Sequence, residues 1–222
     1  MDKTVSTERQ HRRGPGRPEG QTDLRERILD AAELDFAELG YAGTSLRLVA
    51  DKVGVNSAMI GYYFTSKQNL FREVFLRKGL RIAEQRMQSL VALHEAEVPP
   101  GTRDLVRAFL MPTLELRSTA QDRAFLRLHS RLHMEPAALA YALRREVYDV
   151  STRAYAEAFQ KALPHLDQSI IYRRISLMIG GYLYAFSDTN RLDELVPPGV
   201  TPRDNVDELE NIVSYCAAGM EA

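Results

Sequence analysis

Apolar residues recur every three to four positions along nearly the whole chain, and runs alternating with period two are almost absent. That spacing lines one face of an α-helix and leaves little room for strands. Between Leu24 and Leu39, Ile28, Ala32 and Phe36 repeat every four positions with Leu29 beside them, and Gly40 follows as a left-handed cap. Thr44 or Ser45 caps a short second helix over Leu46, Val49, Ala50 and Val53, which Gly54 ends. Asn56 or Ser57 caps a third helix, through about Tyr63. Thr65 or Ser66 opens a fourth, with Leu70, Phe71, Val74 and Phe75 on its inner face, running to about Ala96. Further helices are expected near 102–118, 121–133, 136–163, 167–187 and 204–219. Pro112 should kink the first of these, Pro136 suits a first turn and Pro164 ends a helix.

The chain therefore reads as all-α, with about nine helices. It divides into a basic arm over 1–20, a three-helix unit over 21–66 and a larger helical domain over 67–222. Its 222 residues, 45% of them hydrophobic, suffice for one or two compact cores. No apolar run approaches the ~20 residues of a membrane span. The arginine-rich start lacks the apolar stretch of a secretory signal, so a cytoplasmic protein is expected. The single cysteine, Cys216, excludes an internal disulfide and a cysteine-based zinc site. The five histidines form no close metal pattern; His129 and His133 stand four apart with no third ligand near them in sequence. No phosphate loop, GxSxG or paired-carboxylate motif suggests an enzyme, and no cofactor is expected.

Within 21–66, Leu46–Val53 and Asn56–Tyr63 flank Gly54-Val55. Two short helices about a glycine turn form a helix-turn-helix, and the glycine adopts the positive φ that other residues resist. The second helix is polar at Asn56, Ser57 and Gly61, so its outer face can enter a major groove.

These residues strongly resemble the TetR family of transcriptional regulators. The likeness rests on Arg27-Ile28-Leu29-Asp30-Ala31-Ala32, Phe36-Ala37-Glu38-Leu39-Gly40-Tyr41, Thr44-Ser45-Leu46-Arg47, Ala50 and Gly54-Val55-Asn56. It continues through Tyr62-Tyr63-Phe64-Thr65-Ser66-Lys67 and Leu70-Phe71, and covers residues 24–77. The resemblance implies a double-stranded DNA operator as partner. It makes Thr44, Ser45 and Arg47 phosphate or groove contacts, and Asn56, Ser57, Ala58, Gly61 and Tyr62 the recognition face. Tyr63 and Lys67 become phosphate anchors. Three positions depart from common family residues: Gly61 stands where many members have Tyr, Tyr63 where His is frequent, and Asn56 where Ser is frequent.

For the larger domain the resemblance implies a homodimer and a small-molecule effector, with release of a repressor from its operator. The alternative is a ligand-independent or partner-recruiting DNA binder. Ile175, Ile179, Gly180, Leu183, Leu209, Ile212, Val213 and Cys216 are the expected dimer interface; an ordinary monomer core is the other reading. Phe109, Arg127, Ser130, His133, Tyr155, Met178 and Tyr182 are the expected ligand-pocket residues. Tyr148, Tyr155 and Phe159 share a helix face, a pattern that also reports plain packing. A faint likeness to fatty-acid-responsive members rests on Arg145-x-x-Tyr148, Met178-Ile179-Gly180 and Ala217-Ala218-Gly219-Met220, so an acyl or aromatic effector is expected.

Charge enters last, because the total of −1 hides its distribution. Residues 1–78 carry 13 basic against 11 acidic groups, and residues 79–222 carry 16 against 19. The basic excess concentrates in the arm, where Arg12, Arg13 and Arg17 have no apolar face to fold around. A solvated tail is one reading. Ahead of a helix-turn-helix, contact with phosphates or a minor groove is the other.

Overall fold

A computed structural model describes residues 19–187, 195–197, 199 and 205–222. The arm arginines Arg12, Arg13 and Arg17 lie outside the described residues. Among the described residues there are nine α-helices and no strand. They are α1 (Glu19–Gly43), α2 (Leu46–Val53), α3 (Ser57–Phe64), α4 (Lys67–Glu95), α5 (Thr102–Leu114), α6 (Ala120–Arg131), α7 (Ala137–Ala162), α8 (Gln168–Ala185) and α9 (Asn205–Glu221). None of them is long and apolar enough to cross a membrane. α5 keeps its helix through Pro112 and tightens to a 3-10 turn at Glu115–Arg117.

Local chemistry sets the first boundaries. Leu48 N–H donates to Ser45 Oγ at 3.1 Å, Ala58 N–H to Asn56 Oδ1 at 2.9 Å, and Asn69 N–H to Ser66 Oγ at 3.1 Å. Each bond satisfies an amide that the helix start leaves unpaired. Gly54 closes α2 at φ 73°, ψ 35°, the left-handed geometry its sequence position calls for. Gly40 differs from expectation: its φ is 74° but its ψ is 178°, and α1 resumes for one more turn to Gly43. That φ, ψ pair is open essentially to glycine alone, and a contact with a remote segment holds the chain in it. Tyr41 N–H reaches Glu135 Oε1 at 3.0 Å, and a Cβ on Gly40 would lie 2.6 Å from Arg131 Nε.

One hydrophobic core runs through the whole chain, from Ile28 and Phe36 through Phe71 and Phe75 to Phe125, Phe159 and Val213. The three-helix unit is therefore not a bead on a linker. Its α1 packs most extensively on α6, and α4 belongs to both halves. The joint between them holds a fully buried carboxylate, Glu33 of α1. It accepts hydrogen bonds from Arg77 Nη2 at 3.1 Å and Lys78 Nζ at 2.8 Å, both on α4, and from Gln121 Nε2 of α6 at 2.8 Å. A second buried carboxylate, Asp35, pairs with Lys52 and ties α1 to α2.

Removing one partner from a buried ion network leaves the others uncompensated, at a cost of about 3–5 kcal/mol. Glu33→Ala should lower unfolding free energy by about that amount in urea titration. A change comparable to a surface mutation, within about 0.5 kcal/mol, would refute the structural role. His129 supplies a second expectation. Burial, reinforced by Arg86 and His133, pushes its pKa down to about 3. Unfolded histidine titrates near ~6.5, so this contribution is complete above that pH and is lost as the pH falls through the window toward 3. Between about pH 7 and about pH 5 the residue should cost about 2 kcal/mol of stability, and His129→Gln should remove that part of the slope.

Candidate functional site

α2 and α3 present two kinds of residue. Val49, Ala50, Val53, Ile60 and Phe64 are buried and fix the pair onto α1 and α4. Arg47, Ser57, Ala58 and Tyr62 are exposed, Tyr62 at 75%, and the α3 members share one outer face with Gly61. Met59, at 42%, is an exposed α3 residue that sequence reasoning passed over. A Cβ on Gly61 would meet nothing within 4 Å, so packing does not require glycine there. Ser45 and Asn56 are exposed at the helix starts, with their side-chain oxygens engaged as caps. Tyr63 is half-buried, its ring edge-on to Tyr62 at 5.5 Å.

Two expected phosphate contacts sit differently. Thr44 is buried, and its hydroxyl donates to Gly40 O at 2.9 Å, so that side chain closes the α1–α2 turn rather than facing outward. Lys67 is half-buried. Its ammonium donates to Tyr41 O at 2.8 Å and Thr44 O at 3.0 Å, and lies 4.3 Å from the Tyr41 ring centroid. Lys67 is thus a clamp that holds the same turn from α4. The carbonyls of a tight turn need donors, and a lysine at the adjacent helix start supplies two.

The larger half encloses a cavity of about 380 Å³ between α4, α6, α7 and α8. Arg86, His129, Leu132, Tyr148 and Tyr182 form its buried part, while Tyr141, Arg145 and Ser176 are exposed. Arg86 is buried with no carboxylate partner among the described residues. Its Nε donates to Phe109 O at 2.8 Å, and its Nη2 to Thr113 Oγ1 at 3.2 Å and Tyr182 Oη at 3.1 Å. Its guanidinium lies 3.7 Å from the Phe109 ring centroid. His129 stacks on Tyr148 with ring centroids 5.1 Å apart. His129 Nδ1 and the Tyr148 hydroxyl are buried without a hydrogen-bond partner. Burial drives the Tyr148 phenol far above its ordinary value, so both groups are neutral near neutral pH.

Of the expected pocket residues, His133 and Tyr182 line this cavity. Phe109, Arg127, Ser130, Tyr155 and Met178 do not. Phe109 and Tyr155 form the layer behind Arg86, with Tyr155 Oη donating to Arg86 O at 3.0 Å. Ser130 Oγ donates to Leu183 O at 2.7 Å and ties α6 to α8. Met178 is buried in the core, and Arg127 is half-buried away from the cavity. Arg86 went unrecognised although its spacing marks it: it follows Gly79 and Ile82 and precedes Leu90 on the buried stripe of α4.

The residues expected at an interface on α8 and α9 sit mostly inside the chain. Ile175, Leu183, Leu209, Val213 and Cys216 are buried within the chain itself, so none is a surface group. Ile179 is half-buried and lines the cavity, and Ile212 packs partly on the core. Burial raises the Cys216 thiol pKa, which disfavours the reactive thiolate. Gly180 alone of the expected set is exposed. It lies with Leu177 (76% exposed), Gly181 and Tyr184 on the outer face of α8; Tyr215 (77%) is exposed on α9.

Residues 28–74 match the family model described as bacterial regulatory proteins, tetR family. Residues 107–219 match the model described as tetracyclin repressor-like, C-terminal domain. The chain is similar to the uncharacterized HTH-type transcriptional regulator YhgD of Bacillus subtilis (strain 168), 31% identical over 67% of this chain and 64% of that protein. The match thus spans just under two thirds of YhgD. It is also similar to the HTH-type transcriptional repressor KstR of Rhodococcus jostii (strain RHA1), 28% identical over 70% of this chain and 69% of KstR. Among solved structures it resembles a TetR-family transcriptional regulator from Bordetella parapertussis 12822, with a TM-score of 0.64 over 87% of this chain and 94% of that one. At 18% identity that likeness shows the fold alone. The C-terminal model alone spans half of the chain and the other falls on the helix-turn-helix, so this protein belongs to the TetR family.

Proposed function

We propose that the protein is a ligand-responsive, DNA-binding transcriptional regulator, a repressor that leaves a palindromic operator when a small molecule enters the cavity. One observation carries this reading. α4 and α6 each contribute cavity residues (Arg86; His129) and each bind Glu33 of α1 (Arg77 and Lys78; Gln121). An occupant that draws α4 and α6 into a new relation therefore acts on the helix that carries α2 and α3. It shifts operator affinity only to the extent that it binds the two arrangements differently.

In this reading Arg47, Ser57, Ala58, Gly61 and Tyr62 meet the major groove. Ser45, Asn56, Thr44 and Lys67 hold the unit in shape. The arm arginines Arg12, Arg13 and Arg17 add phosphate or minor-groove contacts. A second copy of the chain covers Leu177, Gly180, Gly181, Tyr184 and Tyr215, which places two recognition helices about one DNA turn (~34–36 Å) apart. The effector is compact, with an aromatic or short acyl body. Tyr141, Tyr148, Tyr182 and Leu132 line a space suited to such a body.

Operator selection from random DNA, repeated with a metabolite extract, tests the whole reading. A palindromic site whose occupancy falls with extract supports it; a site indifferent to every metabolite supports a ligand-independent binder. Tyr62→Ala should lower operator affinity about tenfold, because an exposed aromatic at the groove contributes about 1–2 kcal/mol of contact. Its thermal midpoint should stay near wild type, since Tyr62 packs on no core residue. Leu177→Arg should convert a dimer to a monomer in analytical ultracentrifugation and weaken operator binding with it. A dimer unaffected by that charge would move the interface elsewhere.

A further inference from the structure

We infer that the effector is an organic acid, and that its carboxylate is held at the buried end of the cavity by Arg86. The inference rests on the cavity being the effector site. It begins from an electrostatic imbalance. Three guanidinium groups line the cavity, those of Arg86, Arg144 and Arg145, against one carboxylate, Asp149. Asp149 is already paired with Arg153 at 2.8 Å. Arg144 approaches His133 Nδ1 at 3.4 Å, and Arg145 has no hydrogen bond among the described residues. The two histidines do not add charge. Burial depresses both, His133 further by Arg144 and His129 further by Arg86.

Arg86 is the centre of this imbalance. A buried guanidinium without a counter-ion is costly, and its desolvation is recovered only by an anion or a full set of hydrogen bonds. The set here is incomplete. All three acceptors (Phe109 O, Thr113 Oγ1 and Tyr182 Oη) are neutral, and none of these bonds uses Nη1. Two further polar atoms, His129 Nδ1 and the Tyr148 hydroxyl, lie behind this wall with no partner and no surface of their own, the hydroxyl against Gly79 of α4. Both groups are neutral and add nothing to the charge of the wall. A carboxylate presents two acceptor oxygens and can take a charge-assisted bond from a guanidinium. It supplies the charge the wall lacks. The remaining wall, Leu132, Ile179 and the tyrosine rings, suits an apolar body attached to that acid.

Matched acid and amide pairs test this directly. Benzoate, hydrocinnamate and octanoate are titrated against benzamide, hydrocinnamamide and octanamide by calorimetry on the full chain. Operator affinity is followed in parallel by fluorescence anisotropy. At least one acid should bind more than about tenfold tighter than its amide, the ratio set by loss of one charged hydrogen bond. Arg86→Gln should erase that ratio, whereas Arg86→Lys should keep part of it. Should the Arg86 variants fail to fold, Arg145→Gln stands in: at an exposed position it should weaken the acid about two- to fivefold and leave the amide unchanged. Equal binding of acids and amides would overturn the inference, as would no acid binding at millimolar concentration. Acid binding that depends on Arg86 yet leaves operator affinity unchanged would uphold the acid site and overturn the effector role instead.

Discussion

The Glu33 carboxylate is the contact on which the rest of the structure depends. It lies at zero exposure where α1, α4 and α6 meet, and it is bound by donors from two of those helices. Coulomb attraction in a low-dielectric interior is strong but intolerant of poor geometry, so the network allows a narrow range of helix positions. From that joint the geometry runs outward in both directions. Asp35 with Lys52 and the Lys67 clamp settle the helix-turn-helix. In the other direction α4 extends to Arg86, about 28 Å from Lys67 at the helical rise. The same α4 helix thus opens beside the turn and reaches the cavity, without a flexible joint between.

Much of this was legible because local and global signals agree. Ser45, Asn56 and Ser66 are each one of two cap candidates in sequence and the cap in the fold. Gly54 is a left-handed residue in both. Gly40 shows where local reading stops. A glycine after an apolar helix implies a terminus, yet here a φ of 74° with a ψ of 178° carries the helix across a kink, held by the bond from Tyr41 N–H to the remote Glu135. Thr44 and Lys67 make the same point for function. Their residue types suit phosphate, and only the fold shows that turn carbonyls claim them first.

On α8 and α9 the apolar stripes admit two readings, a partner interface or the chain's own core. A chain buries its most apolar stripe in its own core first. Ile175, Leu183, Leu209 and Val213 went there. What remains outside includes a thinner surface of Leu177, two glycines and three tyrosines, Tyr172, Tyr184 and Tyr215. Such a surface carries weak periodicity, so counting apolar residues underrates it. Exposure, which periodicity does not encode, separates the two faces.

Glu33 and Arg86 are buried to nearly the same degree, and the contrast between them separates scaffold from site. Glu33 has an ammonium, a guanidinium and an amide around it, and its charge is answered within the chain. Arg86 has a carbonyl, two hydroxyls and an aromatic face, and its charge is not. A hydrophobic residue in place of a buried charge is often neutral or stabilising, so stability alone gives no reason for an arginine there. The net charge of −1 conceals this, since the acids of the larger domain lie mostly elsewhere. An unanswered charge beside a cavity is an arrangement that a bound anion completes.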